Sequence, residues 1–276
     1  MGVLLGIAAG ILLGVSDFMA NRASRTISSA SVSRTNLAVS GLISPLLLFV
    51  KPVEWTLRDI VLAMISGITM AGGLIMLYRG YTVARMGIVA PIASVLLAAV
   101  PVLFDLIKGH TPSPLAGCGM VLGLAALVLT TYQRGGMGSV KIGAMLGFGA
   151  GLLFGIAFTL TSETSDAAGL SPVLIQRISG LLFLIALQRL DKAPLIVLRR
   201  PARRWAIGSG LAGGVALGSL KLGYLKGSAG PVSVAASQFA AVAVLLSVMF
   251  NKERLRPWQA VGVVSGGIGV ALMALG

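Results

Sequence analysis

Long apolar stretches recur along the whole of this 276-residue chain, and they restrict its fold more than any other feature. A run of about 20 apolar residues is long enough to cross a bilayer as a helix. In lipid, every backbone polar group must be satisfied within the protein, which a helix achieves by itself. Alternation of the kind found in barrel strands is absent. The sequence therefore predicts an all-α integral membrane protein.

The composition argues against the two soluble alternatives. Only 11% of the residues are charged, against about 25% in soluble domains, and a soluble protein with so many apolar helices would have almost no polar surface. The formal net charge of +14 is a signature shared with nucleic-acid-binding proteins. Here, however, the basic residues stand singly or in small groups between the apolar runs, as membrane topology signals do.

We predict ten membrane spans, separated by short stretches rich in Pro, Gly and charged residues. They cover residues 2–20, 31–50, 58–78, 84–106, 114–132, 142–162, 171–189, 205–224, 229–250 and 257–275. No connection is long enough to hold a soluble domain. The first run follows no basic segment and precedes no convincing cleavage site, so we expect a retained helix and not a signal peptide.

The two halves of the chain repeat each other. The segments GVLLGIAAGILLG and GAMLGFGAGLLFG carry the same ladder of four glycines at a constant offset of 141 residues. At an offset of 143, further identities continue: Arg34/Arg177, Leu77/Leu220, Gly80/Gly223, Tyr81/Tyr224, Gly87/Gly230, Ala93/Ala236, Ser94/Ser237, Pro114/Pro257, Gly119/Gly262 and Gly123/Gly266. Such a nearly constant register indicates tandem duplication, with repeats at residues 1–134 and 141–276.

An odd number of helices per repeat determines the relative orientation of the repeats. The connector near Gly135 is too short to cross the membrane, so the second five-helix unit must run opposite to the first. Inverted repeats of this kind build transporters, in which the site lies between the halves near the bilayer midplane. The predicted fold is ten transmembrane helices in two inverted five-helix repeats.

The distribution of charge predicts the orientation in the membrane. Loops 1–2, 3–4, 5–6, 7–8 and 9–10 hold most of the basic residues: Arg22, Arg25, Arg79, Arg85, Arg134, Lys141, Arg189, Lys192, Arg199, Arg200, Arg203, Arg204, Lys252, Arg254 and Arg256. The opposite side holds Lys51, Arg58, Lys108 and Lys226 together with acidic residues. The positive-inside rule places the first set in the cytoplasm and both termini outside. We expect a multi-pass protein of a bacterial cytoplasmic membrane.

The glycine ladders predict close helix packing. In lipid, small residues let helix backbones approach and gain dispersion contacts. Each ladder gives its helix one smooth face, formed by Gly2, Gly6, Gly10 and Gly14 in the first repeat and by Gly143, Gly147, Gly151 and Gly155 in the second. Such a face serves either packing alone or also a seam along which helices slide, and the sequence leaves both interpretations open.

The end of each repeat resembles a known family. The segment YLKGSAGPVSVAASQFAAVAVLLSVMFNKERLRPWQAVGVVSGGIGVALMAL, with Glu253-Arg254 followed by Gln259, is similar to the end of an EamA unit of the drug/metabolite transporter superfamily. YTVARMGIVAPIASVLLAAVPVLFDL is similar to the same region of a first unit, although Gly109-His110-Thr111 stands where a Glu-Arg pair is expected. The resemblance covers essentially the whole chain.

The resemblance implies a secondary transporter that moves small metabolites, often amino acids or their derivatives and often outward, along a proton or other gradient. The superfamily also contains lipid-carrier flippase components, which is the alternative. No Gly-x-x-x-x-Gly-Lys-Ser/Thr segment occurs, so ATP is not the expected fuel. A membrane enzyme would need grouped acids, His or Cys, whereas the chain has eight scattered acids, one His and one Cys. We expect no enzymatic activity, no cofactor and no metal.

Candidate substrate-binding residues are the polar groups within the predicted spans. Arg177 lies deep enough to face a cavity and bind a carboxylate or phosphate, because an intramembrane charge is costly unless it has a partner. The other candidates are Arg34, Tyr81, Ser94, Tyr224, Ser237 and Gln238. The alternative for each is a structural or interfacial role, by ion pairing, snorkelling or membership of the aromatic belt.

Asp17 is the one acid in the first span and the candidate coupling residue. It would carry a proton, as a first-helix acid does in the related small multidrug resistance proteins, or it would pair with Arg22 near the helix end. The expected partners are a small-molecule substrate, membrane lipids and a coupling ion such as a proton, in a monomer or homodimer that does not bind nucleic acid.

Overall fold

The computed structural model describes residues 1–84, 86–131, 140–191, 193–197, 199–251 and 257–275, and within these ranges it is helical and contains no strand. Some residues named above lie outside them: Arg85, Arg134, Lys192, Lys252, Glu253, Arg254 and Arg256.

The helices follow the predicted spans closely. They are α1 (Gly2–Ser24), α2 (Ser29–Ile43), α3 (Leu57–Val83), α4 (Met86–Ile107), α5 (Pro114–Thr131), α6 (Val140–Ser162), α7 (Ser171–Ala186), α8 (Gln188–Asp191), α9 (Ala202–Tyr224), α10 (Ala229–Ser237), α11 (Phe239–Asn251) and α12 (Pro257–Leu275). Among the described residues, five apolar stretches are long enough to cross a bilayer, namely Gly2–Ser24, Ser29–Phe49, Leu57–Val83, Lys141–Ser162 and Pro257–Leu275.

Three predicted spans are interrupted. The second passes from α2 into a 3₁₀ segment, Ser44–Phe49, at Pro45, because proline has no N–H to continue the α-helical bonding. The seventh ends at Ala186 and is followed by the short α8. The ninth breaks at Gln238, whose backbone N–H donates to Ala235 O (3.3 Å) while its side chain bonds other carbonyls, a competition that disfavours a continuous helix.

The helix contacts occur in matching pairs when one repeat is exchanged for the other. Helix α1 packs against α9, α10 and α11, and its counterpart α6 packs against α3 and α4. Likewise α2 packs against α9, and α7 packs against α3. The remaining large interfaces join counterparts directly: α5 with α12, α2 with α7, and α4 with α10.

The glycine ladders lie at two equivalent interfaces. A Cβ built on Gly10 of α1 would come within 2.9 Å of Ala236 O, and one built on Gly151 of α6 would come within 2.6 Å of Ala93 O. Since Ala93 and Ala236 are repeat equivalents, both ladders make the same contact. Gly2, Gly6, Gly14, Gly147 and Gly155 are similarly close to facing atoms, and Gly143 is buried. These distances leave no room for side chains at the crossings.

Candidate functional site

A cavity lies among α1, α2, α3 and α4 of the first repeat and α6, α7, α9 and α11 of the second, with about 450 Å³ of space between atoms when the part open to solvent is included. These helices form pairs of repeat counterparts, namely α1 with α6, α2 with α7, α3 with α9 and α4 with α11. The lining residues are Leu13, Ser16, Asp17, Asn36, Met70, Leu74, Leu77, Tyr78, Leu97, Phe154, Phe158, Arg177, Gly213, Leu217 and Phe239. A cavity lined from both repeats is the arrangement that a substrate site between two halves requires.

Many lining positions are also repeat equivalents. Asp17 of α1 and Phe158 of α6 are related by the offset of 141, and Leu74 of α3 and Leu217 of α9 by the offset of 143. Two more such pairs line the cavity: Leu13 with Phe154, and Met70 with Gly213. The site is therefore built from duplicated positions whose side chains differ in chemistry.

Arg177 contributes an unpartnered positive charge to this cavity. Its side chain is only 3% exposed, its Nε has no hydrogen-bond partner, and neither a hydrogen bond nor an ion pair to it occurs among the described residues. Close crossing of α7 and α3 positions it, since a Cβ on Gly180 would meet Gly67 O at 2.7 Å. A buried guanidinium without a partner is costly, and an anionic group of a ligand would compensate for it.

Asp17 contributes a buried carboxyl group to the same cavity. It is 6% exposed, and its Oδ2 accepts a hydrogen bond from Tyr81 Oη at 3.3 Å. It forms no ion pair with Arg177. Tyr78 lies within electrostatic range of both charges. Its buried hydroxyl has Ser16 and Ser209 nearby, but neither meets it with hydrogen-bond geometry.

A polar cluster supports the wall on which Asp17 lies. Asn36 Nδ2 donates to Ser209 Oγ (2.7 Å) and to Ser16 Oγ (3.4 Å), and Ser16 Oγ donates to Ser209 O (2.8 Å). The cluster joins α1, α2 and α9. Because Asn36 and Ser16 also line the cavity, this cluster adds an amide and a hydroxyl group to the lining that contains Arg177 and Asp17.

The cluster at the equivalent position of the first repeat is also centred on a serine, but its hydrogen-bond partners differ. Ser66, the counterpart of Ser209, accepts from Gln176 Nε2 (2.6 Å) and donates to Ala157 O (2.8 Å). This cluster joins α3, α6 and α7, and none of its members lines the cavity. One half of the duplicated polar network thus serves the cavity, and the other half serves helix packing.

Arg34 lies elsewhere, although it is equivalent to Arg177. It is 1% exposed and donates to Leu184 O (3.3 Å), Ala193 O (3.1 Å) and Pro194 O (3.1 Å). These bonds join α2 to the last turn of α7 and to the connection between α7 and α9. Arg34 is not among the cavity-lining residues.

The other predicted candidates also lie outside the cavity lining. Tyr224 Oη is hydrogen-bonded to Ser233 Oγ (2.9 Å), and Ser237 Oγ donates to Val234 O (2.8 Å). Gln238 Nε2 reaches Gly123 O on α5 (3.3 Å). Ser94 is buried. Tyr81 acts on the cavity indirectly, through Asp17.

Sequence reasoning missed several residues that line the cavity. Asn36, Phe154 and Phe158 are not among the predicted site residues, because an amide near a helix start and aromatic residues in an apolar run are both common. The repeat offset was the available signal, since adding 141 to Asp17 gives Phe158.

Two further groups of contacts join residues of the two repeats. In the first, Arg34 and Thr35 of α2 bond residues in the range 193–197, with Val197 N donating to Thr35 Oγ1 (2.9 Å). In the second, Ser165 donates its backbone N–H (2.8 Å) and its hydroxyl (2.6 Å) to Asp59, and Lys108 forms an ion pair with Glu163.

Comparisons with known proteins agree with this architecture. The sequence model of the EamA-like transporter family matches residues 141–275, while no curated protein matches the chain. One matching solved structure, described only as "Crystal structure of protein", is 15% identical and has a TM-score of 0.77, over 99% of this chain and 96% of its own. That similarity concerns the fold. Residues 141–275 therefore form an EamA-like transporter domain, of the drug/metabolite transporter superfamily.

Proposed function

We propose that this protein is a secondary transporter that exports small metabolites, such as amino acids or their derivatives, across a bacterial cytoplasmic membrane. Membership of the EamA-like family supports a transporter. The observation that carries the substrate class is Arg177, a buried guanidinium that lines a cavity and has no partner in the described part of the chain. A substrate carboxylate is the group that would neutralise it.

Alternating access between two inverted repeats, 1–134 and 141–276, is the mechanism that fits the helix contacts. Exchange of the repeats maps the α1–α9 interface onto the α6–α3 interface, and five helices per repeat require opposite orientations. The contacts of Arg34 and Thr35 with residues 193–197, and those of Asp59 with Ser165 and of Lys108 with Glu163, then act as alternating gates, of which one opens while the other stays closed. A substrate shifts the two states only by its difference in affinity for them.

Asp17 is the proposed coupling group within this mechanism. Its carboxyl group is buried in the cavity and accepts a hydrogen bond from Tyr81. A carboxylate there would exchange a proton for substrate as access alternates. The excess of basic residues in alternate loops supports a cytoplasmic position for those loops and an external one for both termini.

Transport by the purified protein in liposomes tests the proposal. We expect uptake of at least one amino acid or derivative from a metabolite panel, stimulated by a pH gradient. Arg177→Ala should reduce that uptake by about ten- to a hundredfold, because a charge-assisted contact contributes about 1.5–3 kcal/mol. Arg79→Ala, which removes an exposed arginine of α3, is the matched control and should transport normally.

Two results would contradict the proposal. Full activity of Arg177→Ala, with its melting temperature unchanged, would remove the guanidinium from the transport site. Absence of metabolite uptake, combined with accumulation of a lipid-linked carrier in cells that lack the protein, would favour the flippase alternative.

A further inference from the structure

We infer that the cavity is specific for an amphipathic zwitterion, whose carboxylate binds Arg177, whose ammonium binds Asp17 and whose apolar side chain lies against Phe154 and Phe158. The inference rests on the proposed transport function and deepens it by naming the ligand class. It assigns Asp17 a direct contact with substrate and identifies Phe158 as a specificity-determining residue.

The two buried charges define the polar part of the ligand. Arg177 and Asp17 line the same cavity, and within the described ranges neither forms an ion pair with an oppositely charged residue. An anion alone would leave the carboxylate of Asp17 without a partner, and a cation alone would leave the guanidinium of Arg177 without one. A zwitterion satisfies both, so burial of each charge is compensated only when both ends of the ligand are present.

Arg177 and Asp17 lie on different helices and form no ion pair with each other. Arg177 is on α7 and Asp17 is on α1, and the fully buried ring of Tyr78 on α3 lies within electrostatic range of both. Hydrogen bonds fix the carboxyl side, from Tyr81 to Asp17 and through the neighbouring Ser16. The charges therefore do not collapse onto each other, and both remain available to a ligand.

The phenyl rings of Phe154 and Phe158 define the apolar part of the ligand. Phe154 and Phe158 of α6 line the cavity and are buried. The ring of Phe154 is seated on α3, since a Cβ built on Gly73 would meet its Cδ1 at 2.6 Å. Aromatic rings, together with the neighbouring Met70 and Leu74, form a surface that favours an aliphatic or aromatic side chain.

Divergence of the repeats explains why the cavity is amphipathic. Position 17 on α1 carries the acid, and its equivalent position 158 on α6 carries a phenyl ring. Because α1 packs against α9, α10 and α11 whereas α6 packs against α3 and α4, the two side chains come from different walls. A symmetric pair of acids, or of phenyl rings, would not distinguish the two ends of a ligand.

Four probes separate the parts of this recognition in binding measurements on the full chain in detergent. L-phenylalanine carries all three features, 3-phenylpropionate lacks the ammonium, 2-phenylethylamine lacks the carboxylate, and glycine lacks the side chain. We expect L-phenylalanine to bind at least about tenfold more tightly than each of the others, since loss of one charged or apolar contact costs about this factor.

Two variants test the individual contacts. Asp17→Asn should weaken L-phenylalanine binding about tenfold and leave 3-phenylpropionate binding unchanged. Phe158→Ala should weaken L-phenylalanine binding about tenfold and leave glycine binding unchanged. The matched control is Phe148→Ala, which removes a phenyl ring of the same helix that is 55% exposed and should not alter the binding of any probe. Phe158→Leu replaces Phe158→Ala if the latter does not fold.

The outcomes separate this inference from the proposed function. Equal binding of L-phenylalanine and 3-phenylpropionate, or equal weakening of both by Asp17→Asn, would overturn the zwitterion assignment. Equal weakening of L-phenylalanine and glycine by Phe158→Ala or Phe158→Leu would overturn the specificity role. If no probe binds while liposomes transport another metabolite in an Arg177-dependent manner, the inference fails and the proposed function stands.

Discussion

Arg34 and Arg177 occupy the same position in the two repeats, yet they have opposite surroundings. Arg34 donates to three backbone carbonyls, two of them in the connection that precedes α9. Arg177 is equally buried, but it lines a cavity and has no hydrogen bond within the described part of the chain. Equivalent positions of the two repeats thus hold one arginine that bonds the protein and one that lines a cavity.

The difference arises in the connections between helices. Subtracting 143 from Ala193 and Pro194 gives residues 50 and 51, in the connection between α2 and α3. That connection is bonded elsewhere, with Lys51 Nζ donating to Asp166 O (3.1 Å) and Glu54 N donating to Ala167 O (2.9 Å). Its carbonyls therefore do not reach Arg177. The connection between helices therefore decides whether a buried arginine at this position is bonded by the protein.

The largest expected effect on stability is that of Arg34→Ala. The substitution removes three hydrogen bonds donated by a buried guanidinium, and a hydrogen bond to a charged group contributes about 1.5–3 kcal/mol. Ala193 O and Pro194 O keep donors in Gln188 and Ser31. We expect a loss of several kcal/mol and poor recovery of folded protein, measured by thermal unfolding in detergent. Arg177→Ala breaks no protein hydrogen bond and should keep the melting temperature of the wild type. Similar melting temperatures of the two variants would contradict the distinction between the two arginines.

The glycine ladders allow the next comparison. Gly10→Ala and Gly151→Ala each place a Cβ within 3 Å of a facing carbonyl oxygen, and such overpacking costs about 1–3 kcal/mol. We expect similar losses at the two sites, because the contacts are equivalent. Gly117→Ala is the control, since a Cβ there meets nothing within 4 Å. Unequal losses at Gly10 and Gly151 would show that the two interfaces are not equivalent. A comparable loss at Gly117 would show that the losses do not arise from overpacking.

A smaller effect is expected at the two serine clusters. Ser66→Ala and Ser209→Ala each remove hydroxyl hydrogen bonds and should lower the free energy of unfolding by about 1 kcal/mol. Only Ser209→Ala should also raise the KM for transport, because its partner Asn36 lines the cavity. Chemical unfolding together with uptake kinetics checks both parts. An equal rise in KM for Ser66→Ala would mean that the clusters are not functionally distinct.

The smallest effect is expected at the paired tyrosines. Tyr81→Phe removes the hydrogen bond to Asp17 and should weaken binding of a cationic or zwitterionic probe a few-fold. Tyr224→Phe, at the equivalent position, removes a bond to Ser233 outside the cavity and should leave binding unchanged. The two variants are compared by equilibrium binding of 2-phenylethylamine and L-phenylalanine. An equal loss of affinity in Tyr81→Phe and Tyr224→Phe would contradict the prediction.

Most of the secondary structure was predictable because apolar length and punctuation by Pro and Gly are local properties. The family was predictable from the end of the second repeat, which the EamA-like match at 141–275 confirms. Helix breaks were harder to predict. The break at Gln238 depends on a side-chain contact with Gly123, 115 residues away in sequence, and no local pattern contains that partner.

The sequence by itself determined the all-α class, the helix positions and the duplicated register, since each follows from the order of apolar and small residues along the chain. Only the tertiary structure decided which duplicated positions face the cavity. Arg177 and Asp17 are brought to one space by helices packed around it, whereas Arg34 meets carbonyls from a distant connection. Whether a buried charge is satisfied depends on atoms that approach from elsewhere in the chain, and periodicity does not encode them.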